Sequence, residues 1–336
     1  LALTTKQKLA GLRFLIIFVC ANTCISLLFF CSSNNSKTEA TAPLKENSAG
    51  ADFSKEIEKS RKAKFFCQKI DSSSLMPTYK IKEESFLPQN VYPIAGIVSH
   101  HLLAHVQIEK WFEQLASKRN DISTFIVLSP SHWHLSTGLF SVTFGSWVIH
   151  DTENDVEKIL QTDILIENKL LSDLNARIDD NVFSVEHGVS TLAPYIKRYF
   201  PNAKIAAIAY NGEPPVNQIM AQNLCDAIKQ HIDFEQNPNK NDVFLLISAD
   251  FSHHQNVDVT KNRDNKSRHF LENISSQSWI LAICDNRPAM YLLKNLLPEN
   301  IETSILFNTN SYELSNKDEN DITSYFFCYF GVSLCD

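Results

Sequence analysis

The feature that most constrains this chain is a set of short apolar segments, each ending in small polar residues and then histidine. Ile94–Ser99 runs into His100 and His101. Phe125–Ser129 runs into Pro130, Ser131, His132, Trp133 and His134. Val243–Ser248 runs into Ala249, Asp250, Phe251, Ser252, His253 and His254. Segments this apolar and this short fit strands buried on both faces. Further strands are expected at Ile205–Ala209, Ile301–Phe307 and Ser324–Tyr329. Helical spacing recurs at Val106–Ser117, Val189–Phe200, Val216–His231 and Pro288–Leu296, the last with proline in its first turn. This alternation predicts one α/β domain, with helices on both faces of a sheet.

The N-terminus follows different rules. Lys6, Lys8 and Arg13 precede an apolar run from Phe14 to Cys31. About 18 apolar residues is the lower limit for spanning a bilayer. Residues 1–31 are therefore read as a transmembrane or signal-anchor helix, with a cleaved secretory or lipoprotein signal as the alternative. Basic residues ahead of the run predict an extracytoplasmic domain. Residues 32–55, rich in Ser, Asn, Thr, Ala, Lys and Glu, read as a disordered linker. The folded domain is placed at 56–336, its charged start (Glu56–Lys64) forming a short helix. A net charge of −7 with no basic stripe argues against a nucleic-acid partner. Eight cysteines without a CxxC pair suggest neither a zinc ribbon nor a disulfide scaffold.

In an α/β sheet, functional groups gather past the carboxyl ends of strands. Of the 11 histidines, His100, His101, His105, His132, His134, His253 and His254 fall at or near three such ends. Neutral imidazole is the commonest metal ligand and the readiest base near neutral pH. One histidine at a strand end is usually structural; three such ends together point to a site. Glu186-His187 precedes a helix, where an acid is favoured in any case. Cys284, taken alone, reads as a small buried hydrophobe.

Taken in order, these segments resemble the Memo family, also called AmmeMemoRadiSam system protein B. The resemblance runs from about Ala95 to Tyr329. Its family motifs correspond to Ser99-His100-His101-Leu102, Ser129-Pro130-Ser131-His132-Trp133, Glu186-His187-Gly188-Val189-Ser190, Ser248-Ala249-Asp250-Phe251-Ser252-His253, Cys284-Asp285-Asn286-Arg287-Pro288 and Ile322-Thr323-Ser324-Tyr325. The pattern departs at several positions, and Asp285 stands where the family motif has glycine. The resemblance implies a three-layer α/β/α sandwich around a mixed sheet, related to class III extradiol dioxygenases. It implies one metal ion, iron or copper rather than zinc, held by His100, His132 and Cys284. Asp250, His253 and His187 would line the same pocket. By resemblance alone, radical SAM and AMMECR-type proteins are implied as partners.

The leading expectation is metal-dependent redox chemistry on a small-molecule substrate, with His253, oriented by Asp250, as general acid or base. A metal-binding or peptide-binding protein without turnover is the first alternative. A zinc-dependent hydrolase is the second.

Overall fold

The apolar segments form the middle of a mixed eight-stranded sheet. The computed structural model describes residues 48–68, 86–151, 154–210, 217–232, 234, 241–274, 277–315 and 318–334. In chain order the elements are α1 (Ser48–Ser60), β1 (Lys64–Phe66), β2 (Val91–Val98), α2 (His105–Lys118), β3 (Thr124–Pro130), β4 (Phe140–Val142), β5 (Ser146–Asp151), β6 (Val156–Leu160), α3 (Ile164–Asp173), β7 (Arg177–Ile178), α4 (Asp180–Val185), α5 (His187–Ser190), α6 (Ala193–Tyr199), β8 (Lys204–Tyr210), α7 (Gln218–Lys229), β9 (Val243–Ser248), α8 (Val257–Leu271), α9 (Arg287–Leu296), β10 (Glu302–Asn310), α10 (Ser311–Ser315) and β11 (Ser324–Ser333). The large sheet has the order β10-β11-β2-β9-β3-β8-β4-β7, and β1-β5-β6 form a smaller one. The β2, β9, β3 and β8 strands are mutually parallel, whereas β11 runs antiparallel to β2 and β10 antiparallel to β11.

Side chains of a strand alternate between faces, and here both faces are apolar. Ile126 and Leu128 of β3, Leu245 and Ile247 of β9, and Ala206 and Ile208 of β8 join one core cluster with residues of α7 and α9. Their neighbours Phe125, Val127, Phe244, Leu246, Ile205 and Ala207 join the other, with residues of α2 and α6. The expected α/β fold, with helices on both faces of a sheet, is therefore present.

On the second face, Trp111 of α2 lies across β2. It is fully buried, stacks on Tyr329 at 4.7 Å and donates its Nε1 hydrogen to the Cys328 carbonyl at 3.1 Å. Glycine at 96 permits this approach, because a Cβ there would sit 2.4 Å from the indole Cζ2.

Several expectations change. Of the linker expected over 32–55, residues 32–47 lie outside the described residues and the rest is helical, because α1 begins at Ser48; Ile57 of that helix packs on the first core cluster. The helix expected at Val189–Phe200 is two, α5 and α6, with Pro194 opening the second. Helix α8 was missed because it is polar. Its start is marked instead by the Asn256 side chain, which accepts from the Val259 amide. The anchor expected over 1–31 lies outside the described residues. Among the described residues, no helix is long and apolar enough to cross a membrane.

Glu167 of α3 is fully buried. Its Oε1 accepts from the Thr143 amide at 3.1 Å, and its Oε2 has no hydrogen-bond partner. Burial pushes its carboxyl well above the ordinary value of 4.5. The folded state thus holds this proton more tightly than the unfolded chain does. The associated stability is complete below pH 4.5 and is lost as pH rises through the folded value. Glu167→Gln should therefore lose less melting temperature than the parent between pH 5 and pH 8, both scanned calorimetrically.

Candidate metal centre

The carboxyl ends of β2, β3 and β9 lie side by side, because these strands are parallel neighbours. His100 follows β2, His132 follows β3 and Asp250 follows β9. Helix α5 opens with His187, and the segment ahead of α9 contributes Asp285. Two groups of ligand atoms converge within 4.8 Å of one another: His100, His132 and His187, and His100, Asp250 and Asp285. The ring centroids of His100 lie 4.8 Å from His132 and 5.0 Å from His187. The residues thus form one cluster with His100 at its centre.

Hydrogen bonds fix which imidazole nitrogen faces the centre. The Ser248 hydroxyl donates to the Gly188 carbonyl at 2.6 Å, so it accepts from Nδ1 of His100, 2.9 Å away. In the neutral imidazole, Nε2 of His100 is then the nitrogen with the lone pair. Glu186, almost fully buried, does the same for His132. Its Oε1 lies 2.7 Å from His132 Nδ1, and its Oε2 accepts from the His132 amide at 2.8 Å. Glu186 also caps α5 by accepting from the Gly188 amide. Imidazoles oriented from behind in this way are characteristic of metal ligands.

Both free nitrogens face one oxygen. Asp285 Oδ2 lies 3.3 Å from His100 Nε2 and 3.5 Å from His132 Nε2. It is buried and has no hydrogen-bond partner, whereas Oδ1 accepts from the Asp250 amide at 3.0 Å. Asp250 Oδ2 lies 3.6 Å from His100 Nε2, and its Oδ1 accepts from the Ser99 hydroxyl at 2.6 Å. Asn286 fixes the segment. Its amide group donates to the Leu128 and Ser248 carbonyls, and its oxygen accepts from Tyr210. It thereby ties the ends of β3 and β9 to the residue following Asp285.

The charges reflect this crowding. Burial opposes a charge on His132, but Asp285 and Glu186 override it and push the imidazole up to about 10. Burial, reinforced by His100 and His132, pulls His187 down to about 4. Burial also works against Asp285, yet the positive His100 and His132 beside it hold its carboxyl well below the usual range. A buried carboxylate oxygen without a hydrogen-bond partner faces two imidazole nitrogens that a cation could hold in place of their protons, so the residues present suit a metal ion.

The expected site residues separate on this geometry. The structure brings His100, His132, His187 and Asp250 together. Cys284, which precedes Asp285 in sequence, is buried, its backbone is bridged to Phe251, and it is in neither convergent group. His253 sits at the rim with its side chain one-third exposed, and the acid paired with it is Asp285 at 4.0 Å. Asp250, expected to orient His253, instead turns toward Ser99 and His100. Asp285, Glu186, Ser248 and Asn286 were not singled out from the sequence as functional. For Asp285, the available signal was a carboxylate replacing glycine beside a candidate ligand.

Comparison with known proteins gives two distant relatives. No family model matches the chain. It is 23% identical over 182 residues to a MEMO1 family protein of Caldivirga maquilingensis, covering 54% of this chain and 56% of that protein. It is 21% identical over 173 residues to a MEMO1 family protein of Pyrobaculum arsenaticum, covering 51% of this chain and 57% of that protein. These matches support membership of the Memo family. Each alignment spans only about half the length of the curated relative. In this chain, buried histidine and aspartate groups are placed so that they could bind a metal ion.

Proposed function

We propose that this Memo-type chain binds one iron or copper ion and uses it in redox chemistry on a small substrate. The observation that carries the reading is the pair of oriented imidazoles. His100 and His132 each have Nδ1 engaged from behind, by Ser248 and Glu186, and each turns Nε2 to a common point. A bound ion would supply Lewis acidity and electron transfer.

The other residues set the surroundings. His187, held low at about 4, stays neutral at physiological pH and offers a lone pair beside the ligands. His253, at the rim, links solvent to the buried carboxylate and can carry a proton between them. Trp133 leaves its ring largely exposed while its Nε1 donates to the Val185 carbonyl, giving an apolar lip next to His132. The basic residues ahead of Phe14–Cys31 support an extracytoplasmic, membrane-tethered location. Such a location would keep the domain apart from cytosolic radical SAM partners.

Elemental analysis of the full chain, purified without a histidine tag, tests this reading. About one equivalent of metal is expected, as for a single centre with three protein ligands, and it should be absent from His100→Ala and His132→Ala that remain folded by circular dichroism. A parent protein that stays metal-free after anaerobic incubation with ferrous and cuprous ions would refute it.

A further inference from the structure

We propose that Asp285 is the anionic ligand of this centre, completing a two-histidine, one-carboxylate set with His100 and His132. The inference rests on the metal-binding reading above and deepens it by assigning the donor set and, with it, the class of ion.

The distances decide between two accounts of Asp285. As a partner for protonated imidazole, a carboxylate oxygen sits about 2.7–2.9 Å from nitrogen. Asp285 Oδ2 is farther, at 3.3 Å from His100 Nε2 and 3.5 Å from His132 Nε2, and it sits between the two rather than on either. Ligands each about 2.0–2.2 Å from one ion lie roughly 3.0–3.5 Å from one another for right-angled to tetrahedral arrangements. The observed separations match spacing between ligands and are long for hydrogen bonds.

The carboxylate is also built for this position. Its side chain is only 4% exposed. Oδ1 is occupied by the Asp250 amide, and the Asp285 amide donates back to the Asp250 carbonyl at 3.0 Å. Asn286, fully buried, fixes the following residue to β3 and β9. Oδ2 is left as the one atom of this carboxylate without a hydrogen-bond partner. Leaving a buried charged oxygen unsatisfied is costly, and a cation removes that cost.

Asp285 therefore sets the chemistry of the centre. With Asp285 in place, the anion is oxygen, and Asp250 adds a second carboxylate 3.6 Å from His100 Nε2. Oxygen and imidazole donors favour ferrous, manganous or zinc ions, whereas thiolate favours cuprous ion.

Cobalt(II) and ferrous ion, titrated anaerobically into the full chain, are the probes. Cys284→Ser should bind one equivalent of each with affinity within about threefold of the parent. The parent cobalt(II) spectrum should lack an intense near-ultraviolet thiolate charge-transfer band. Asp285→Asn, which preserves shape, should weaken both ions by more than the ~10–100-fold that changes behind the ligands cause, with its circular dichroism unchanged. Asp285→Gly should not regain affinity through Cys284. A charge-transfer band that disappears in Cys284→Ser, or full affinity in Asp285→Asn, would overturn the ligand assignment while leaving a metal centre intact. A parent chain that binds neither ion would refute the metal-binding reading itself.

Discussion

Replacing Trp111 by alanine should cost about 3–5 kcal/mol of unfolding free energy, the usual range for removing a buried aromatic side chain. The upper half of that range is expected, because the indole does three jobs at once. It fills the space that glycine at 96 leaves above β2. It stacks on Tyr329 of β11 at 4.7 Å and meets Phe112 edge-on at 4.9 Å. Its Nε1 also satisfies the Cys328 carbonyl at 3.1 Å, so truncation leaves both a cavity and a buried acceptor without its indole donor. Tyr329 reinforces the contact by donating its hydroxyl to the Trp111 carbonyl. Urea denaturation followed by circular dichroism would measure the loss. An unchanged slope with a lower midpoint is the expected form, and a cost under ~1 kcal/mol would show that the neighbouring aromatics collapse into the space.

The second large effect concerns Glu186. Glu186→Gln should lower metal affinity about 10–100-fold, equivalent to roughly 1.4–2.8 kcal/mol. The carboxylate now lies 2.7 Å from His132 Nδ1, fixing the tautomer and making Nε2 a stronger donor. A neutral amide keeps the volume and can still accept one hydrogen bond, but it loses the charge. The same residue receives the Gly188 and His132 amides, which hold the start of α5 against the end of β3. Competition against a chromophoric chelator would give the affinity ratio. Affinity equal to that of the parent would mean that His132 needs no charged support.

How much of this was legible in the sequence follows from what each element depends on. Strands β2, β3, β8 and β9 were readable because burial on both faces leaves an unbroken apolar run. Helix α8 was not, since its polar side chains conceal the face that buries Phe270 and Leu271. Strand β4 depends on β8, far along the chain, and β5 pairs on one edge with distant β1, contacts that no local pattern reveals; β6 forms a local hairpin with β5. His100 and His132 were legible as residues following strand ends. Asp285 was not, because its role depends on the Asp250 amide and on Asn286 reaching across two strands, both of them tertiary contacts. Cys284 was marked by the resemblance, whereas the carboxylate of its neighbour Asp285, which faces the imidazoles, was not.

The antiparallel placement of β11 beside β2 bears on the order of events in time. His100 is separated by 148 residues from Ser248, the hydroxyl that orients it, and Trp111 by 217 from the carbonyl it satisfies. Contacts this distant in sequence require large loops to close before they return any energy, which makes folding slow. A ribosome emitting this chain exposes β2 and β3 long before β9 and β11 exist to cover them. Until then, the apolar edge of β2 is open to other chains. Yield in cells should therefore depend on chaperone supply and on the rate of translation, more than the stability of the finished domain would suggest.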